Sequence, residues 1–354
     1  MRRIVRFFLI LLVLAVLALA AALSVSWPLR WLPAGLPPGG WKDGTLTLWP
    51  GPTLRWPAIT LAISRDSLRL ESLSLKADGL GSLRRWWSAD EPLLADLRVS
   101  HAQWNRLPLE GLSGRMRLVA DTLEVQNLHS RLAGQALDGR WLVLRKPGAL
   151  PAWTLDLQSE RLVLDSLWAL LYPERSWTLG GLADVTLRIR QSRSGRTSHS
   201  FVAHARDVEL ASWPVALELK KQLGLEFLDP LMADSLSMEL VGDTVSSRLN
   251  RMELWTSLGL ITASGPLGNP EDPTQKMALA VDLALNESGR RQLSLPGGLD
   301  QGLEWLADPD GILHIKGTVT GSLEKPELRV DTSALKKKVE EGVRSLFRKL
   351  LGRH

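Results

Sequence analysis

Apolar residues recur at every second position in segment after segment of this chain. Leu68-Arg-Leu70, Leu73-Ser-Leu75, Met116-Arg-Leu118, Leu155-Asp-Leu157 and Leu187-Arg-Ile189 show the spacing. Leu236-Ser-Met238-Glu-Leu240, Leu279-Ala-Val281-Asp-Leu283 and Leu313-His-Ile315 continue it. Side chains on a strand alternate between its two faces, so this spacing makes strands with one apolar and one polar face. Repeated along 354 residues, it predicts one long apolar surface, and the apolar residues just named are the candidates for lining it.

Turn signals punctuate the pattern. Asp43-Gly44, Asp78-Gly79, Asp138-Gly139, Ser194-Gly195, Gly242-Asp243, Gly268-Asn269-Pro270 and Asp310-Gly311 all suit tight hairpins, which need residues tolerant of positive φ. Strands joined by tight turns are antiparallel neighbours, because a parallel crossover needs a dozen or more residues. The expected fold is mainly β, a long antiparallel meander over residues 41–332. Helical spacing breaks in at Asp165–Tyr172, Ser212–Phe227 and Leu299–Leu306, too seldom to cover a large sheet but enough to cap or plug one end. An apolar sheet face is otherwise hidden by a second sheet, by closure into a barrel, or by lipid. A transmembrane barrel would end in a strand, and this chain does not. The favoured expectation is a sheet curled into a groove with acyl chains inside. At ~4.8 Å per strand, roughly 20 strands would run up to ~90 Å.

The ends differ from this body. Arg2, Arg3 and Arg6 precede an uncharged run from Phe7 to Leu23, extended by Trp27. Residues 1–27 thus read as a single transmembrane signal-anchor of about 20 apolar positions, with the arginines cytoplasmic and the body in the periplasm of a bacterial cell. A cleaved signal peptide ending near Ala18-Leu-Ala20 is the competing reading. Residues 28–40 form a Pro/Gly linker. Residues 333–354 form a basic amphipathic helix. Leu335, Val339, Val343, Leu346, Phe347 and Leu350 make one stripe, and Lys336, Lys337 and Lys338 open the polar side. Such a helix lies on an anionic membrane surface or packs on the end of the sheet with its lysines solvated.

Chemistry is scarce by comparison. The chain has no Cys, so it has no disulfide, thiolate metal site or Cys nucleophile. No nucleophile elbow, phosphate loop or zinc-protease motif is present. His199 and His204 fall in a Ser/Arg/Gly-rich stretch that reads as a solvated turn, and His314 alternates with Leu313 and Ile315 onto a polar strand face. Asp308 and Asp310 read as turn formers. No catalytic residue, metal site or cofactor is expected. The net charge of +5 sits mostly at the ends, and no Lys/Arg stripe interleaves with aromatics, which argues against nucleic acid as a partner. Trp outnumbers Phe and Tyr combined, 15 against 5 and 1. Trp141, Trp153 and Trp255 either line the apolar surface or lie partly buried over a sheet, and Trp86-Trp87 suits an edge or membrane surface.

The C-terminal unit Gly311-Ile-Leu-His-Ile-Lys-Gly-Thr-Val-Thr-Gly321-Ser-Leu-Glu-Lys-Pro326-Glu-Leu-Arg-Val330 resembles the closing strand, G-x-L-x-x-P, strand element of the AsmA-like family, where a Lys-rich helix also follows. Gly265-Pro-Leu-Gly-Asn-Pro270 is similar to the same theme. The likeness covers roughly the last 100 residues at motif level. It implies an inner-membrane-anchored envelope protein with a β-groove, engaged in phospholipid transport or outer-membrane biogenesis, with no catalytic residues. The short body favours a shuttle, an adaptor or one segment of an assembly over a bridge between membranes. The anchor-plus-strand layout also resembles the N component of type II secretion systems, which implies a protein–protein scaffold with envelope partners.

Overall fold

The computed structural model describes residues 27–28, 43–48, 51–63, 66–82, 91–104, 107–119, 121–144, 151–171, 173, 176–223, 225, 228–243, 245–268, 276–293, 307–321 and 326–331. The expected anchor up to residue 26, the helix over Leu299–Leu306, Trp86-Trp87 and the basic tail helix lie outside them. Among the described residues no helix is long and apolar enough to cross a membrane.

The chain is mainly β. Its strands are β1 (Trp27–Pro28), β2 (Thr45–Thr47), β3 (Thr53–Ile63), β4 (Asp66–Ala77), β5 (Leu93–Trp104), β6 (Leu107–Val119), β7 (Thr122–Leu132), β8 (Gln135–Leu144) and β9 (Ala152–Val163). Helix α1 (Leu164–Leu171) follows, then β10 (Thr178–Gln191), β11 (Thr197–Ala211) and helix α2 (Pro214–Leu223). Next come β12 (Leu231–Asp243), β13 (Ser247–Thr256), β14 (Gly259–Gly268), β15 (Met277–Leu285), the single-turn α3 (Glu287–Arg291), β16 (Leu313–Gly321) and β17 (Pro326–Val330). The strands run longer than the isolated Leu-x-Leu pairs imply, up to 15 residues in β11.

Two compact units emerge, one of residues 1–157 with 190–195 and one of residues 158–189 with 196–354. The first contains the meander β2 to β8, each strand antiparallel to the next. The second contains the meander β11 to β17, again antiparallel throughout.

Short turns make part of this order, as the sequence implies, though not always the expected ones, and the longer segments 78–92, 212–230 and 286–312 join other neighbouring strands. Ser194-Gly195 and Asp310-Gly311 do lie at turns. Asp243 closes the β12–β13 turn by accepting hydrogen bonds from the amides of Val245 and Ser246 at 2.8 and 2.9 Å. Asp138-Gly139 is a correction, because it lies inside β8 and the turn comes earlier, at Ala133-Gly134. Gly139 is needed for space, since a Cβ there would stand 2.3 Å from the Asp156 carbonyl oxygen. His199 and His204 are a second correction. They belong to β11, because Phe201, Ala203 and Ala205 carry the two-residue alternation through that stretch.

The alternation itself slips at a recurring device. In Leu70-Glu-Ser-Leu73, Leu109-Glu-Gly-Leu112, Val125-Gln-Asn-Leu128 and Ala205-Arg-Asp-Val208, two same-face apolar residues stand three apart instead of two. The residue before the second one is left-handed in each case: Ser72 (φ 53°), Gly111 (φ 60°), Asn127 (φ 49°) and Asp207 (φ 51°). Ser159-Glu-Arg-Leu162 repeats the spacing in β9, with Arg161 at φ 54°. A left-handed residue within a strand disrupts the ladder and strengthens the local twist. The rotation keeps the apolar side chains on one face across the bend.

In the first unit, the inward rows include Leu54, Leu75 and Leu97, and Ala77, Ala95, Met116, Val125 and Trp141. The opposite face carries charge. Arg115 pairs with Asp96 at 2.6 Å and also with Asp78, and Arg140 pairs with Glu124 at 2.7 Å. The exposed Arg115 pairs are worth about 0–1 kcal/mol each, so apolar burial carries most of the stability, while Glu124 is itself buried beside its partner.

Candidate functional site: an apolar sheet face with a polar end

In the second unit the register arranges apolar side chains into rows that cross the strands. One row reads Ala205, Leu236, Leu254, Ile261, Leu283 and Ile315. The next reads Ala203, Met238, Met252, Ala263 and Val281. A third contains Phe201, Leu240 and Leu249 in β11 to β13, and Leu279, Val319 and Leu328 in β15 to β17.

The candidate lining residues divide by burial. Leu70, Leu73, Met116, Val281, Leu283, Leu313 and Ile315 are buried and form true core. Leu75, Leu118, Leu155, Leu157, Leu187, Ile189, Leu236, Met238, Leu240 and Leu279 are half-buried. Leu68 sits in β4 opposite Leu61, and its side chain lies outside the described residues. The half-buried leucines alternate with exposed polar neighbours such as Arg188, Arg190 and Glu239. They therefore face inward without being fully covered.

What covers the buried part was only coarsely visible in sequence. Pro214 opens α2, where a missing N–H costs nothing and φ is already helical. Val215 and Ala216 are buried against the sheet, as are Leu225 and Leu228 just after the helix. The helix is shorter than expected, ending at Leu223 and not at Phe227, and its last turn carries Lys220 and Lys221, where cations suit the helix dipole. Trp213, Val215 and Ala216 face Leu249, Ile261 and Val281 across an apolar cavity of about 60 Å³. That is less than half the ~150 Å³ that accommodates benzene.

The apolar face ends in polar groups. Along β11, Thr197 and His199 precede Phe201 on the same alternation. His199 is opposite Gly242, and Gly242 is opposite Ser247. The ring occupies space that only glycine leaves, since a Cβ at 242 would be 2.5 Å from His199 Nε2. Nε2 reaches Ser247 Oγ at 3.4 Å. Half-burial holds the His199 imidazole below its ordinary value, opposed in part by the negative Asp243.

This shift has a definite sign. The folded chain prefers neutral His199, so the unfolded chain takes up its proton first as pH falls. The stability from this group is present above the ordinary histidine value of 6.5 and is lost as pH falls below it towards the depressed folded value. A histidine-selective NMR titration should place His199 below the ordinary value of 6.5. A His199 resonance titrating at or above 6.5 would contradict the geometry.

The other candidate groups behave as local structure. Asp308 Oδ1 accepts from the amides of Asp310 and Ile312 at 3.0 and 2.8 Å, which is turn chemistry as expected. His314 is on the polar face of β16, with Nδ1 3.0 Å from Asp282. Trp141 joins an apolar row. Trp153 donates from Nε1 to Gln191 Oε1 at 2.9 Å, and Trp255 points to the opposite face, 48% exposed. Among the described residues no group of three His, Asp or Glu side chains is arranged to hold a metal ion.

No family model matches the chain, and neither does any curated protein or solved structure. The functional reading therefore rests on the sheet face itself.

Proposed function

We propose that this is a non-enzymatic, inner-membrane-anchored envelope protein that holds acyl-chain lipid against curled apolar sheet faces, in lipid transfer or outer-membrane biogenesis. The half-buried inward residues carry this reading. Leu236, Met238 and Leu240 on β12 present apolar surface that the described helices leave partly open, and Leu187 and Ile189 on β10 are half-buried as well. Contiguous surface of this kind is uncommon on soluble monomers and marks a binding face. The left-handed steps at Ser72, Asn127 and Asp207 support a curl that turns this face inward. The G-x-L-x-x-P element supports the AsmA-like likeness, since Gly321 pairs with Pro326 at the base of the β16–β17 hairpin.

Native mass spectrometry of the full chain, gently extracted in detergent, is expected to show co-purifying diacyl lipid at about one or more per chain. A lipid-free protein that also fails to take up added phospholipid would overturn the reading. The scaffold alternative draws on apolar residues of the outward face, Trp255 and Met232, which are 48% and 57% exposed. It predicts a stoichiometric protein partner in the same preparation and no lipid.

A further inference from the structure

We propose that Thr197, His199 and Ser247 form a seat for the uncharged polar head of an acyl lipid, a glyceride hydroxyl or ester group, whose tail lies along the neighbouring apolar rows. This rests on the acyl-binding reading above and specifies which lipid class the face prefers.

The first observation is position. The three residues close one end of the apolar face of the second unit. One step inward from them, Phe201, Leu240 and Leu249 form the next cross-strand row, and Ala203, Met238 and Met252 the row after that. Leu249 and Met252 also wall the cavity beneath α2. An amphiphile laid along these strands would have its tail on the rows and its head at Thr197, His199 and Ser247.

The second observation is an unmet hydrogen bond. Thr197 Oγ1 is buried and has no partner. A buried hydroxyl left unpaired keeps the desolvation penalty without a compensating bond, so native proteins rarely keep one without a use. The contact between His199 Nε2 and Ser247 Oγ is long, at 3.4 Å, and leaves hydrogen-bonding capacity on both groups. Together they offer two hydroxyls and an imidazole, each able to donate or accept.

The third observation selects the charge of the ligand. The imidazole is biased to its neutral form, so it supplies no cation. Asp243, beside Gly242 at the end of β12, is held below the usual carboxylate range by the Val245 and Ser246 amides and stays ionised. A phosphate or carboxylate head would lose water there and meet the nearby negative charge of Asp243, which already acts on His199. An alcohol or ester meets neither penalty.

The test uses the full chain in mild detergent, incubated in parallel with dioleoylglycerol, dioleoylphosphatidylglycerol and hexadecane, a chain without a head. Retained ligand is quantified by mass spectrometry. The expected result is retention of dioleoylglycerol several-fold above the phospholipid. The double variant Thr197→Val with His199→Leu should lower dioleoylglycerol retention about tenfold and leave hexadecane unchanged. Thr197→Val alone should raise the melting temperature of the lipid-free protein, because it removes the unpaired hydroxyl at constant shape. Equal or stronger retention of the phospholipid, or an unchanged dioleoylglycerol signal in a folded double variant, would overturn the head-group seat while leaving acyl binding intact. Failure of the wild type to retain any of the three, hexadecane included, would overturn the acyl-binding reading itself.

Discussion

Leu283→Ala should lower the stability of the second unit by about 3–4 kcal/mol, while Leu240→Ala on the same sheet face should cost about 1 kcal/mol or less. Leu283 is 1% exposed and lies between Ile261 and Ile315 in adjacent strands. Truncation there forfeits the transfer free energy of the lost carbons and leaves a void that packed neighbours cannot close. Leu240 is itself half-buried, so truncation there mainly exposes already accessible surface. Hydrogen exchange across β15 and β16, read with urea unfolding, measures both variants. Equal costs would mean that Leu240 is as enclosed as Leu283, and the open apolar face would lose its support. The same Leu240→Ala should weaken lipid retention, so fold and function separate along one face.

The division of this face into buried and half-buried residues was not readable from the chain, although the strands were. Leu279-Ala-Val281-Asp-Leu283 and Leu313-His-Ile315 declare a strand with one apolar face, because a period of two has no other regular solution. Period alone is silent on what lies above the face. Val281 is core partly because it shares an apolar cavity with Val215 and Ala216 of α2 and with Leu228, a contact made across the fold. Leu236 and Met238 share the same spacing and stay half-buried.

The left-handed steps hid a second layer of order. Leu68-x-Leu70 and Leu73-x-Leu75 read as two separate pairs, yet both lie on β4, joined through Ser72. The visible signal was the shared spacer of two non-apolar residues, as in Leu70-Glu-Ser-Leu73 and Val125-Gln-Asn-Leu128. Its backbone meaning follows from Ser, Asn, Asp or Gly at the second spacer position, and Arg161 obscures the pattern. The polar end was missed for a related reason. Ser198, Arg196 and Gly195 gave the stretch a turn-like composition, while β11 begins as early as Thr197 and carries His199 onto the inward face. Asp138-Gly139 misled in the opposite direction, since a glycine required by a neighbouring strand has the same letter as one required by a turn.

The same ambiguity sits in the two G-x-L-x-x-P copies, and it yields the second large effect. Gly321 ends β16, where a hairpin follows, whereas Gly265 lies inside β14 with φ at +140°. A Cβ at Gly265 would stand 2.2 Å from the Ala278 carbonyl oxygen of β15, far inside any tolerable contact. Gly265→Ala must therefore both adopt a backbone region nearly restricted to glycine and push β15 away. We expect a loss above about 3 kcal/mol, with amide protection of residues 278–285 collapsing first. Gly79→Ala is the control. Gly79 also has a positive φ, +129°, but a Cβ there meets nothing within 4 Å, so only the backbone penalty of about 1–3 kcal/mol remains. If the two variants cost the same, strain alone explains both, and the close approach of β14 to β15 is not what fixes Gly265. If Gly265→Ala costs more and selectively opens β15, this glycine holds a strand contact and the Gly321 copy marks a chain reversal. The motif's recurrence would then reflect two different backbone requirements met by one residue type.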